Sequence, residues 1–218
     1  MVDFALVPAR TALLNVDLQN IFVEGSSDGL ATLDRINRVA AACREAGILV
    51  IHTSHVLRPD GSNIGVLGEV VPQVKSGFLF KGAKTAALHE KLVVDSRDLL
   101  LEKPRFGAFH GTDLEPILRS RGIDTIVIAG IETNVCCDST AREANARDFR
   151  VLFLSDGTAT GGNALATEAE LQKATLATIG TLFGQVLTVD EVLRKIADAR
   201  RLSPAHRPGP GPGRRSRP

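Results

Sequence analysis

Short blocks rich in apolar and β-branched residues recur along the chain at 11–16, 48–52, 98–102, 125–129, 150–154 and 185–189, each closed by polar or turn-forming residues. That length and composition predicts buried strands. Between them the spacing changes to three and four. Leu33, Ile36, Val39, Ala40 and Cys43 form one apolar stripe over 33–46, which Gly47 closes, and helices are also expected over 114–121, 135–147 and 165–182. Asp190 is positioned to cap a last helix running to about Ala199. Strands alternating with helices predict an α/β protein: a three-layer α/β/α sandwich around a doubly wound, mostly parallel six-stranded sheet. Residues 53–96 break this rhythm with Pro59, Asp60-Gly61 and Pro72. They are too long for a simple connection and predict an excursion that builds a pocket.

Composition narrows the class. A chain of 218 residues that is 44% hydrophobic can bury one sizeable core, and no ~20-residue apolar run is present to span a membrane. One domain over 1–202 is expected, followed by a disordered Pro/Gly/Arg-rich tail over 203–218 that cannot bury enough surface to order itself. The formal charge of +1 includes four tail arginines; without them 22 basic residues face 25 acidic ones. No basic face is offered to nucleic acid. The first residues lack the pattern of a secretion signal, and three cysteines, two of them adjacent, make no disulfide framework. A cytoplasmic location is the expectation.

Candidate chemistry sits at the ends of predicted strands. Asp17 closes the first, Lys103 follows the third, and Cys136 comes just after the fourth, beyond Gly130. In doubly wound sheets ligands bind outside the carboxyl ends of the strands where strand order reverses. If the first and fourth strands flank that point, Asp17 and Cys136 face each other there. Thr133 and Asn134 offer caps for the helix expected from Val135, so Cys136 would lie in its first turn. Unpaired N–H groups and the helix dipole would then make its thiol a stronger acid than free cysteine. A carboxylate can take the thiol proton, a lysine can hold both negative charges together, and sulfur can attack a carbonyl.

The segments ALLNVDLQN (12–20), EKPRFGAFHGTDLEPILRSRGI (102–123) and AGIETNVCCDSTAREA (129–144) together resemble the isochorismatase-like cysteine hydrolases, a family that includes nicotinamidases, N-carbamoylsarcosine amidases and ureidoacrylate amidohydrolases. The resemblance implies Asp17 as base, Lys103 as its support and Cys136 as nucleophile, with Cys137 packing. It also implies a cis peptide at Ile131-Glu132, which would turn the Glu132 N–H toward the site beside that of Cys136 as an oxyanion hole. Glutamate departs there from the small or apolar residue expected. Gln19, Asn20 and His55 are expected to border the pocket, Arg58 or Arg105 to pair a substrate carboxylate, and Phe106 and Phe109 to wall it. A nicotinamidase-type metal site needs an Asp-x-His and a further histidine. His52, His55 and Asp60 do not reproduce that spacing, so no metal and no other cofactor is expected. The cysteine favours cleavage of a small linear amide, ureido or carbamoyl compound over vinyl ether hydrolysis, and the segments look closest to the ureidoacrylate branch. Relatives are commonly dimers or tetramers, so a homo-oligomer is expected.

Other readings meet specific obstacles. A dinucleotide-binding protein needs a glycine-rich turn after the first strand, and NVDLQN has none. A noncatalytic protein of this fold would be expected to lose one of the three polar residues, and this chain keeps all three. Redox chemistry at Cys136-Cys137 would need a strained vicinal disulfide.

Overall fold

The structure is a computed structural model, and it describes residues 2–202; the tail expected to be disordered lies outside the described residues. Strands β1 (Thr11–Val16), β2 (Leu49–His55), β3 (Leu99–Lys103), β4 (Thr125–Ile131), β5 (Arg150–Ala159) and β6 (Gln185–Leu187) form one sheet in the order β3-β2-β1-β4-β5-β6. Every neighbouring pair is parallel. Order reverses between β1 and β4, the place where such sheets open a crevice.

Alternation along the strands assigns the two faces. Leu13, Val50, Val127 and Leu152 point to one side, where they meet α2 (Gly29–Ala46) through Leu33, Ile36 and Val39 and α7 (Val189–Leu202) through Val192 and Ile196. Leu14, Ile51, Ile126, Ile128 and Phe153 point to the other. There they meet α4 (Leu114–Ser120), α5 (Asp138–Asn145) and α6 (Glu168–Leu182). Burial on both faces explains why central strands read as continuous apolar blocks rather than as alternating ones.

The differences from the sequence expectation lie mainly at element ends. β2 continues to His55 because the polar run His-Thr-Ser-His keeps its ladder with β3. β5 runs past Ser155-Asp156-Gly157 to Ala159 through a register shift against β4, so turn-forming residues there mark a bulge and not a stop. Thr188, not Asp190, caps α7: its hydroxyl accepts from Glu191 N at 3.2 Å and Glu191 Oε2 accepts from Thr188 N at 2.7 Å. The α6 helix starts at Glu168, three residues later than expected, because Thr167 and Glu170 form the same kind of reciprocal cap. A short helix, α1 (Asn20–Gly25), follows β1, and the 53–96 excursion carries α3 (Leu67–Val70) with a small cluster of its own around Leu57, Val74 and Leu79.

Candidate active site

Asp17 leaves β1 with φ 52°, in the left-handed region, which aspartate tolerates better than most residues. Its side chain is fully buried. Thr53, on the neighbouring β2, grips it at both ends: its hydroxyl donates to Asp17 Oδ1 at 2.6 Å and accepts from Asp17 N at 3.2 Å.

Lys103 ends β3 and is paired with His55 across the ladder. From that edge strand its side chain crosses the end of β2, and Nζ comes to 2.7 Å from Asp17 Oδ2 in ion-pair contact. The same Nζ donates to the carbonyls of Arg105 and Phe106, each at 2.9 Å. Three acceptors thus surround an ammonium group with three protons. Burial works against the lysine charge, the Asp17 carboxylate works for it, and its pKa ends above the ordinary lysine value.

Cys136 stands in a π-helical turn, Thr133–Cys137, between β4 and α5. Such turns widen a helix by one residue and are frequent at functional sites. The N–H groups of Val135 and Cys137 both close on Glu132 O, at 3.2 and 3.1 Å. Gly130 permits the approach from β4. With φ 134° and only 2.1 Å between a would-be Cβ and Val16 O, no other residue fits beside the end of β1. Thr140 then ties the turn to the loop after Lys103, donating to Cys136 O at 2.7 Å and accepting from Ala108 N at 3.1 Å. Glu143 adds a second tie through Phe109 N, at 3.0 Å. The charges of both Asp17 and Lys103 act on the Cys136 thiol, so the three residues expected at strand ends converge.

The expected acidity of the thiol is not found. Burial pushes the Cys136 thiol well up and the Asp17 charge pushes it further, while Lys103 only partly opposes them. Burial is the main cause. Cys136 does lie in the first turn of a helix that starts at Thr133 and continues into α5, but neither Thr133 nor Asn134 caps it with a side chain, and Asn134 Oδ1 instead accepts from Thr160. Cys136 therefore lies in a buried site beside a carboxylate, which favours the neutral thiol.

Above it opens a cavity of about 140 Å³, walled largely by the excursion and α1: Phe22, Leu67, Val71, Val74, Phe78 and Leu79, with Phe106 and Val135 completing the apolar lining. His55 and Glu132 are the other polar residues at its wall. The His55 ring meets Phe106 edge-on at 5.7 Å, its Nε2 has no partner among the described residues, and burial holds its pKa down at about 4. The peptide bond Ile131-Glu132 is cis, as the resemblance implied.

The remaining pocket candidates are placed elsewhere. Gln19 clamps backbone, accepting from His55 N at 2.7 Å and donating to Ala86 O at 2.6 Å, and Asn20 donates to Lys84 O at 2.8 Å. Arg105 is held by Asn63 O at 2.9 Å and Pro104 O at 2.6 Å. Arg58 is largely exposed, with Asp60 at 3.6 Å, and lines a separate open cleft. Phe109 packs on Phe149 in the core, with centroids 5.7 Å apart. His52 is bound to Asp98 at 2.9 Å beneath the sheet edge, away from His55 and Asp60. Thr53, Thr140 and Glu143 went unnoticed in the sequence. Thr53 could have been found had the polar end of β2 been read as strand, since a threonine there must face either the site or the core.

A doubly wound sheet with a buried carboxylate, lysine and cysteine at its switch point defines a class of cysteine hydrolases. The family profile for the isochorismatase domain matches residues 11–191, and the chain belongs to the isochorismatase family. Similar curated proteins include the ureidoacrylate amidohydrolase RutB of Methylorubrum extorquens, 35% identical over 82% of this chain and 79% of the relative. That of Klebsiella variicola is 32% identical over 92% of this chain and 93% of its own. Among solved structures, a cysteine hydrolase from Pseudomonas syringae pv. phaseolicola superposes with a TM-score of 0.88 at 33% identity, covering 91% of this chain and 97% of that one. An isochorismatase family protein from Burkholderia thailandensis gives 0.78 at 31%, covering 88% and 98%.

Proposed function

We propose that this hydrolase cleaves the carbon–nitrogen bond of a small amide, ureido or carbamoyl compound through a thioester on Cys136. The observation that carries the reading is the meeting of Asp17, Lys103 and the Cys136 thiol in one buried site. Similarity to ureidoacrylate amidohydrolases supports the choice of an amide-type bond.

Because the thiol rests protonated, attack and proton transfer are coupled. Sγ bonds to the substrate carbonyl carbon as Asp17 takes the thiol proton, and Lys103 keeps the carboxylate in place and balances the charge. Glu132 and Cys136 supply backbone N–H groups to the oxygen as it becomes negative. Asp17 then passes its proton to the nitrogen, the C–N bond breaks, and the amine or ammonia leaves a thioester behind. Water, losing a proton to Asp17, attacks that thioester. The acid departs, and the proton returns to sulfur.

Ammonia release from a panel of small amides, ureido acids and carbamoyl compounds tests this reading. Turnover of at least one class, abolished in Cys136→Ser, is expected; equal loss in Cys136→Ser and Cys137→Ser would point to the wrong nucleophile. The proposal also holds the protein to be a cytoplasmic homo-oligomer, dimer or tetramer, needing neither metal nor nucleotide. Leu100, 64% exposed on the edge strand β3, supports association, and light scattering measures it.

A further inference from the structure

We propose that Glu132 excludes anions from the site, and that the substrate is an uncharged amide or ureide whose apolar group, branched or aromatic and about the size of a benzene ring, fills the cavity above Cys136. This rests on the reading of Cys136 as an amide-cleaving nucleophile and narrows what it cleaves.

Volume and lining give the apolar half. A largely apolar cavity of about 140 Å³ is close to one of ~150 Å³ that holds benzene. Its walls come mostly from the aliphatic and aromatic side chains of α3, the 71–79 segment and α1, and they offer no hydrogen bonds to a polar tail. The polar groups at its floor and rim are Cys136, His55 and Glu132. His55, whose pKa is held at about 4, is neutral at physiological pH and offers a hydrogen bond but no positive charge.

Charge gives the second half. Glu132 is the acidic residue among those lining the cavity and is paired with no cation among the described residues; burial pushes its pKa up, and the Gly161 backbone works against that rise. The basic groups that could receive a substrate carboxylate are engaged or distant. Arg105 is tied to two backbone carbonyls, Arg58 belongs to a different cleft and is 67% exposed, and Lys103 is in ion-pair contact with Asp17 and donates to two carbonyls. A carboxylate entering this cavity would lose its water, find no cation and approach a second carboxylate. An uncharged amide loses nothing of that kind. Discrimination here comes from a repulsive element and not from an added contact.

The test compares two matched amides by ammonia release: isovaleramide or benzamide against glutaramate, a primary amide ending in a free carboxylate. Wild type should favour the uncharged amide by about a hundredfold in kcat/KM, the scale expected of like charges a few ångströms apart at a partly screened site. In Glu132→Gln that ratio should fall at least about tenfold, and Glu132→Ala, the second variant, should move it the same way. Preference of wild type for the acid overturns the proposal. So does an equal change for both substrates in both variants, which would assign Glu132 a structural role. Absence of ammonia from every amide in the panel would overturn the nucleophile reading itself, and the proposal with it.

Discussion

Lys103 Nζ lies 2.7 Å from Asp17 Oδ2 although the strands that carry the two residues are not neighbours, since β2 runs between them. The lysine reaches in from the edge strand, while Asp17 follows β1 and Cys136 follows β4 at the switch point. Its length lets it reach over the end of β2, and Thr53 on that middle strand receives the carboxylate from below.

Removing one member of this fully buried pair leaves an uncompensated charge. Lys103→Met should therefore cost about 3–5 kcal/mol of stability, while the double variant Asp17→Asn/Lys103→Met should regain much of it and remain inactive. Urea unfolding with activity assays on the same preparations checks this. A double variant as unstable as the single one would mean that packing, and not charge, is what Lys103 provides.

Thr53 is the residue to which the structure gives most weight beyond the sequence expectation. Thr53→Val keeps the shape and removes a hydrogen bond to a charged acceptor, a loss of roughly 1.5–3 kcal/mol. A drop in kcat/KM of about 10–100-fold follows if Asp17 is the base. Thr53→Ser should recover most of it, and a Val variant with wild-type kinetics would remove Thr53 from the site.

Much of this arrangement was legible in the sequence. The six strands and the two-faced core follow from apolar blocks separated by helical stripes, and Asp17, Lys103 and Cys136 announced themselves as polar residues at the ends of those blocks, while the strand order came from the structure. What sequence could not give was side-chain direction. Arg58, Arg105 and Phe109 have the right chemistry for a pocket, yet backbone carbonyls, an open cleft and the core claim them. Nor could it give the π-helical turn. A cysteine after Thr-Asn reads as the first turn of a side-chain-capped α-helix; the structure keeps it in the first turn, but that turn is π-helical, closes on Glu132 O and has no side-chain cap.

Burial changes what is expected of the thiol. Sequence pointed to a stronger acid than free cysteine; burial and the Asp17 charge push the pKa the other way. Alkylation of Cys136 by iodoacetamide should therefore be slow at pH 7 and keep rising above pH 9, past the ~8.5 of free cysteine. A rate that levels off near pH 6–7 would restore the preformed thiolate.

His55 links the site to acid stability. Its pKa is about 4 in the fold against an ordinary 6.5, so between those values the unfolded chain binds the extra proton and the folded one resists it. Its contribution is thus complete above pH 6.5 and lost as pH falls toward 4, up to about 3 kcal/mol in all. Urea midpoints between pH 7 and 4 should fall more steeply for wild type than for His55→Gln. Parallel curves would show that other groups set the acid limit.

The central claim is a covalent bond between substrate and one particular sulfur, and it is tested most directly by mass spectrometry of enzyme quenched in acid during turnover of an amide it hydrolyses. The account predicts a mass increase equal to the acyl group, mapped to the peptide at Cys136, still present in Cys137→Ser and absent from Cys136→Ser. Turnover at full rate by Cys136→Ser, or an adduct carried by Cys137, would contradict it.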